Sequence, residues 1–199
     1  QMVETAARIN AVHDRVRGCV PPAPGLQRSG TEGTARDGYC AHDPHLQRWV
    51  QATLLESIPR AYERFVGPLS VRERDQYCAE AAIMEPLLGM PAGWLPRDAA
   101  QLDTYMRGML AGGSLSVSDS SRALARAVLY PPRWYVAWPA FRAMQLLTVG
   151  SLPTSIRDAY GFEWRPRDER ALARWTALIR TSVRQLPPLA REWRVARGR

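Results

Sequence analysis

Lysine is absent from this 199-residue chain, so all 27 of its basic side chains are arginine guanidiniums. Cysteine is scarce as well: Cys19, Cys40 and Cys78 are an odd number without Cys-x-x-Cys spacing. That pattern argues against a disulfide framework and suits reduced thiols. Long apolar runs are missing too. The nearest approach, residues 123–152, is interrupted by Arg126, Arg133, Arg142, Pro131, Pro132 and Pro139, which excludes a membrane-spanning helix there. With no secretory signal pattern at the start, the expected compartment is the cytoplasm. No segment alternates with period two, and no hairpin dipeptide lies between β-branched runs, so a β fold is not expected. There is no Walker loop, dinucleotide glycine fingerprint, His-Glu-x-x-His or Gly-x-Ser-x-Gly, and no repeated Glu-x-x-His pair of the kind a diiron bundle needs.

What is present is a surplus of positive charge, +8 overall with a pI near 10.1. Arginine forks suit phosphates and carboxylates, so a polyanion and the propionates of a cofactor are both chemically reasonable partners. The arginines nevertheless run from Arg8 to Arg199 and alternate with acids, as in Arg72-Glu-Arg-Asp and Arg167-Asp-Glu-Arg. Only residues 191–199 form a basic block, and a solvated arginine surface is favoured over a nucleic-acid site. Cys40, His42 and His45 cluster in Cys-Ala-His-Asp-Pro-His, but no second ligand pair at finger-like spacing follows, so a loop is favoured over a zinc site.

Helical signals fill the chain. A first helix runs toward Gly18, a residue suited to the C′ position, with Pro21 and Pro22 beyond it. Residues 18–40, rich in Gly, Pro, Ser and Thr, read as a long loop of a length that tends to be functional. Asp43-Pro44 opens a second helix through Leu46, Trp49, Val50 and Leu54, which Pro59 should kink or restart. Ser70-Val-Arg-Glu73 is a capping box for a third, carrying Tyr77, Ala81, Met84 and Leu88 inward as far as Gly89. Leu102 to Met109, Leu124 to Leu129, residues 139–149, residues 153–160 and residues 168–186 continue the pattern. The last has Leu172, Trp175, Leu178, Ile179 and Val183 inward. Trp134, Tyr135 and Trp138 form an aromatic connector, and a final turn holds Leu189 and Trp193. The fold predicted is all-α, one helical domain over residues 1–199. Because a helical pattern is already running by Val3 and the first residue is Gln1, that domain is read as N-terminally incomplete.

Within the first helix Ala6, Ile9, His13 and Val16 share one face, while Glu4, Arg8, Asp14 and Arg15 fall largely on others. His13 therefore points inward. An imidazole in such a place is either a neutral core group bonded to a carbonyl or a metal ligand whose second nitrogen is held by a partner.

The run Ile9-Asn-Ala-Val-His13-Asp-Arg-Val-Arg-Gly18 is followed by Asp43-Pro-His-Leu-Gln-Arg-Trp-Val-Gln-Ala-Thr-Leu54 and Tyr62-Glu-Arg-Phe-Val-Gly-Pro-Leu-Ser70. Leu152-Pro-Thr-Ser-Ile-Arg157 and Ala159-Tyr-Gly-Phe162 come later. In that order the motifs resemble the bacterial oxygenase family grouped with the latex-clearing rubber oxygenases. The same family includes the oxygenase that cleaves the farnesyl side chain in mycophenolic acid biosynthesis. The resemblance implies a globin-like core, haem b, dioxygen as co-substrate and oxidative cleavage of a C=C bond in an apolar, isoprenoid-type substrate. It makes His13 the proximal iron ligand. Arg17, one helical turn on, is by geometry the candidate propionate partner, with a solvated surface arginine the favoured alternative. Gln51 stands where relatives of this family carry a histidine, and as a cofactor-side residue it can donate and accept hydrogen bonds but is a poor iron ligand. The family pattern also places a helix upstream of the proximal histidine, in rubber oxygenases with a lysine, and this chain starts after that point. The alternative is a non-enzymatic helical binding protein on the same scaffold.

Overall fold

Proline and capping residues punctuate the chain into helices much as the periodicity predicts. The computed structural model describes residues 2–19, 38–113, 115–130 and 138–185. The helices are α1 (Met2–His13), α2 (Pro44–Phe65), α3 (Val71–Glu80), α4 (Met84–Leu87), α5 (Ala99–Ala111), α6 (Asp119–Leu129), α7 (Trp138–Ser151), α8 (Thr154–Tyr160) and α9 (Pro166–Gln185). Two three-residue strands, β1 (Arg17–Cys19) and β2 (Gly38–Cys40), pair antiparallel with Arg17 opposite Cys40. Among the described residues the architecture is all-α with this one short ribbon. The centre of the long loop at residues 20–37, the connector residues Trp134 and Tyr135, and the last turn with the arginine tail lie outside the described residues.

The chain divides into two compact units, residues 1–59 with 69–116, and residues 60–68 with 117–199. In the first, Ala52 and Leu55 of α2 meet Cys78 of α3 and Leu102 and Met106 of α5, with Trp49, Tyr77, Ala81 and Tyr105 packed around them. Leu88, Met90 and Leu95 form a neighbouring cluster with Met84. In the second, Leu129, Ala143, Leu146, Val149 and Leu172 are buried. The Arg142 guanidinium donates to Asp168 there at 2.6 Å.

Local chemistry explains the boundaries. The Asp43 carboxylate accepts the His45 N–H at 2.8 Å, capping α2 beside Pro44. The Ser70 box is closed both ways, with Glu73 N–H to Ser70 Oγ at 3.2 Å and Ser70 N–H to Glu73 Oε2 at 2.7 Å. Asp98 caps α5 and Ser118 caps α6 in the same manner.

Several expectations are corrected. Pro59 does not restart α2; it is buried within a helix that continues to Phe65, its packing offsetting the missing N–H bond. The third helix is not continuous to Gly89. Pro86 cannot donate to Ala82, and a 3-10 turn at Ala81–Ile83 separates α3 from α4. Gly150 lies inside α7 instead of capping it, and a Cβ there would collide with Leu172 and Trp164. Leu178 of α9, placed inward by its spacing, is exposed, as are Leu124 and Val128 of α6. Finally, α1 ends at His13, short of Val16. The backbone beyond it finds partners across the loop: Ala41 N–H donates to the Val16 carbonyl at 3.2 Å, and β1 pairs with β2.

Candidate functional site

The inner side of α1 is fixed by small and polar residues. Ala6 is buried, and the Asn10 amide donates to the Leu87 carbonyl at the end of α4 at 2.9 Å. On another side of the same helix, Thr5, Arg8, Ile9, Val12 and His13 line an open groove of about 440 Å3. These positions follow the i, i+3, i+4, i+7, i+8 rhythm of one helical stripe. A volume of that size lies within the range of roughly 300–1,000 Å3 usual for small-molecule sites.

His13 closes the groove at the C-terminal end of α1. It is half-buried, and its Nδ1 is shut away from solvent with no hydrogen-bond partner among the described residues. A buried imidazole nitrogen without a partner is uncommon in a structural histidine. Arg8 shares the groove, contrary to the expectation that it lies on another face. Glu4 stands four residues before it, yet no ion pair to Arg8 forms among the described residues. Ile9 and Val12 present apolar surface, Val12 with 60% of its area exposed. The groove is thus an apolar strip with one imidazole and one exposed guanidinium.

Below the groove, the β1–β2 ribbon brings the start of the second helix back to the end of the first. His42 lies edge-on to His13, with ring centroids 5.7 Å apart and planes at 80°. Its Nε2 is 2.8 Å from the Asp14 carboxylate. Asp14 is largely exposed, so a pair of this kind is worth only about 0–1 kcal/mol to the fold. His45 turns elsewhere, to Trp94 with ring centroids 4.9 Å apart. The neighbouring Arg48 guanidinium lies 4.4 Å from the Tyr105 ring centre and 5.9 Å from that of Trp94. Burial pushes the Tyr105 hydroxyl above its ordinary pKa, with Arg48 opposing. The His42 and His45 side chains therefore diverge, and among the described residues no group of three His, Cys, Asp or Glu is arranged to hold a metal ion.

The other residues singled out from the sequence are dispersed. Arg17 is exposed on β1, reached by a strand and not by a helical turn from His13. Gln51 is half-buried on α2. Neither is among the described residues that line the groove. On the turn of α2 before Gln51, Gln47 is 5% exposed with neither amide atom hydrogen-bonded among the described residues. Cys78 is buried in the core, where burial, aided by Asp75 and Asp98, raises its thiol pKa and leaves it unreactive. Sequence reasoning missed Arg8 although the helical stripe 5–8–9–12–13 was readable. It had no means to find the Asp14–His42–His13 grouping, which depends on a ribbon closing across residues 20–37.

These features define a helical protein with an open groove along α1 that ends at one imidazole. The chain belongs to the family described as ER-bound oxygenase mpaB/B'/Rubber oxygenase, catalytic domain, whose family model matches residues 1–181. An oxygenase catalytic domain is the class that membership supports. Among curated proteins the chain is similar to the uncharacterized proteins Mb2261 of Mycobacterium bovis and Rv2237 of Mycobacterium tuberculosis. Each is 28% identical over 185 residues, spanning 91% of this chain and 71% of the relative. No solved structure matches. Among the described residues no helix is long and apolar enough to cross a membrane.

Proposed function

We propose that the protein is a haem b-dependent oxygenase that uses dioxygen to cleave a C=C bond in an apolar, isoprenoid-type substrate. The observation that carries the haem reading is His13, a partly buried imidazole that lines an apolar groove. The donor set fits the group. A bare ion needs several protein ligands, whereas a porphyrin supplies four nitrogens itself and requires a single axial imidazole. Arg8 suits a carboxylate edge, since a guanidinium makes paired, charge-assisted bonds to carboxylates. Bound haem would supply iron with a face open to dioxygen.

The chain's own part would then be to bind and orient the group. His13 would hold the group through its imidazole, and Ile9 and Val12 would cover apolar surface. Arg8 would take a propionate, with Arg17 retained from the sequence as a second candidate for that role. Gln51 is retained as a hydrogen-bonding residue on the cofactor side, as the resemblance implies. The isoprenoid substrate rests on the family resemblance together with the apolar character of the groove.

The test is spectroscopic. Wild-type protein titrated with haemin is expected to develop a Soret band at one equivalent. His13→Ala should lose the specific band, and imidazole added to the variant should restore part of it. A band unchanged in His13→Ala would remove His13 as the ligand, and a wild type that takes up no haem would end the reading.

A further inference from the structure

A ligating histidine is ordinarily aimed by a hydrogen bond from its second ring nitrogen to a carboxylate or carbonyl, which fixes both tautomer and ring rotation. His13 has no such bond at Nδ1 among the described residues. Something else must keep the ring from turning about its Cβ–Cγ bond. The group in place to do so is His42, whose ring stands at 80° to that of His13 with centroids 5.7 Å apart. His42 is itself held from two directions. Its Nε2 is hydrogen-bonded to Asp14, the residue after His13, and its backbone follows the β1–β2 ribbon by two residues.

Resting on the haem reading above, we infer that His42 is a positioning residue that sets the orientation of the His13 ring by edge-to-face packing, with Asp14 holding His42 in place. The arrangement joins the start of α2 to the ligand through a contact that bypasses the usual hydrogen bond. It also gives the ribbon a role: the Arg17–Cys40 pairing, with the Ala41 N–H bond to the Val16 carbonyl, returns His42 to the end of α1. Because the Asp14–His42 pair is solvent-accessible, it adds little to folding, and its removal should be felt at the ligand and not in the melt.

The experiment uses the whole chain reconstituted with haemin, comparing wild type, His42→Ala, His42→Phe, Asp14→Asn and His13→Ala. The readouts are haem loss to apomyoglobin and the low-temperature EPR spectrum of the ferric form, with circular dichroism as a check on folding. His42→Ala is expected to lose haem about 10-fold faster and to broaden the EPR features, as rotated rings give a spread of ligand geometries. His42→Phe keeps an aromatic edge and is expected to restore both, while Asp14→Asn falls between. Retention and EPR unchanged in His42→Ala, against a lost Soret band in His13→Ala, would overturn this inference and leave the haem reading intact. Failure of His42→Phe to rescue would also overturn it. A wild type without any Soret band would overturn both.

Discussion

At Glu85 three donors converge on one carboxylate that is only 3% exposed: Leu95 N–H at 2.7 Å, Gly93 N–H at 3.1 Å and the Arg97 guanidinium at 2.7 Å. Burial works against the charge, but these donors outweigh it and hold the carboxyl below its ordinary value of 4.5. The connection from Gly89 to Arg97, with Gly93 at φ +81°, is also tied to α4 by the Met90 N–H bond to the Glu85 carbonyl and by the packing of Met90 and Leu95 with Met84. Glu85→Ala strands two N–H groups and is expected to cost about 2–4 kcal/mol, measured by urea denaturation. Glu85→Gln, which keeps one acceptor, should cost less. Since the folded form binds its proton less readily than the unfolded one, the stabilisation is complete above about pH 4.5 and is lost as the pH falls through the depressed folded value. The wild type should therefore lose more stability than Glu85→Gln between pH 5 and the acid side of that transition.

Helix α7 shows how an element's position can override its propensity. Replacing a helical glycine by alanine normally stabilises by about 0.5–1 kcal/mol. At Gly150 the added Cβ would meet Leu172, which is fully buried, and the rigid ring of Trp164. Overpacking of that kind costs about 1–3 kcal/mol, so the collision wins and Gly150→Ala is expected to lower the melting temperature. Gly108 in α5 is the control, with nothing within 4 Å of a Cβ. There Gly108→Ala should raise the melting temperature. The Arg64 guanidinium also donates to the Gly150 carbonyl at 3.2 Å, so α7 is held at this point from the C-terminal part of α2 as well.

Across the whole molecule, the residues proposed to hold haem fall in the first compact unit, on α1, β1 and the first part of α2. Ligand binding stabilises what it touches by about 2.7 kcal/mol at a concentration 100 times Kd. Hydrogen exchange with and without haemin is therefore expected to slow in residues 2–19 and 38–51. The α7–α9 region, in the other unit, should change little. Slowing spread evenly over the chain, or confined to α7–α9, would move the binding site elsewhere.

Helix existence was legible because it rests on local rules: a capping box at Ser70, an aspartate before Pro44, glycines after Leu88 and Tyr160. The place of His13 on an amphipathic helix, and the order of motifs that marks the oxygenase family, were legible for the same reason. What the sequence could not settle depended on partners distant along the chain. Pro59 continues a helix because its surroundings bury it, and Leu178 stays exposed although its spacing points inward. Gly150 answers to Trp164 and Leu172, and Arg8 to a groove. The amino-acid order by itself determined the helices and the place of His13 on the first of them. Only the tertiary structure decided which residues stand around that imidazole, because His42 reaches it through strand pairing across a loop, a contact that no local periodicity encodes.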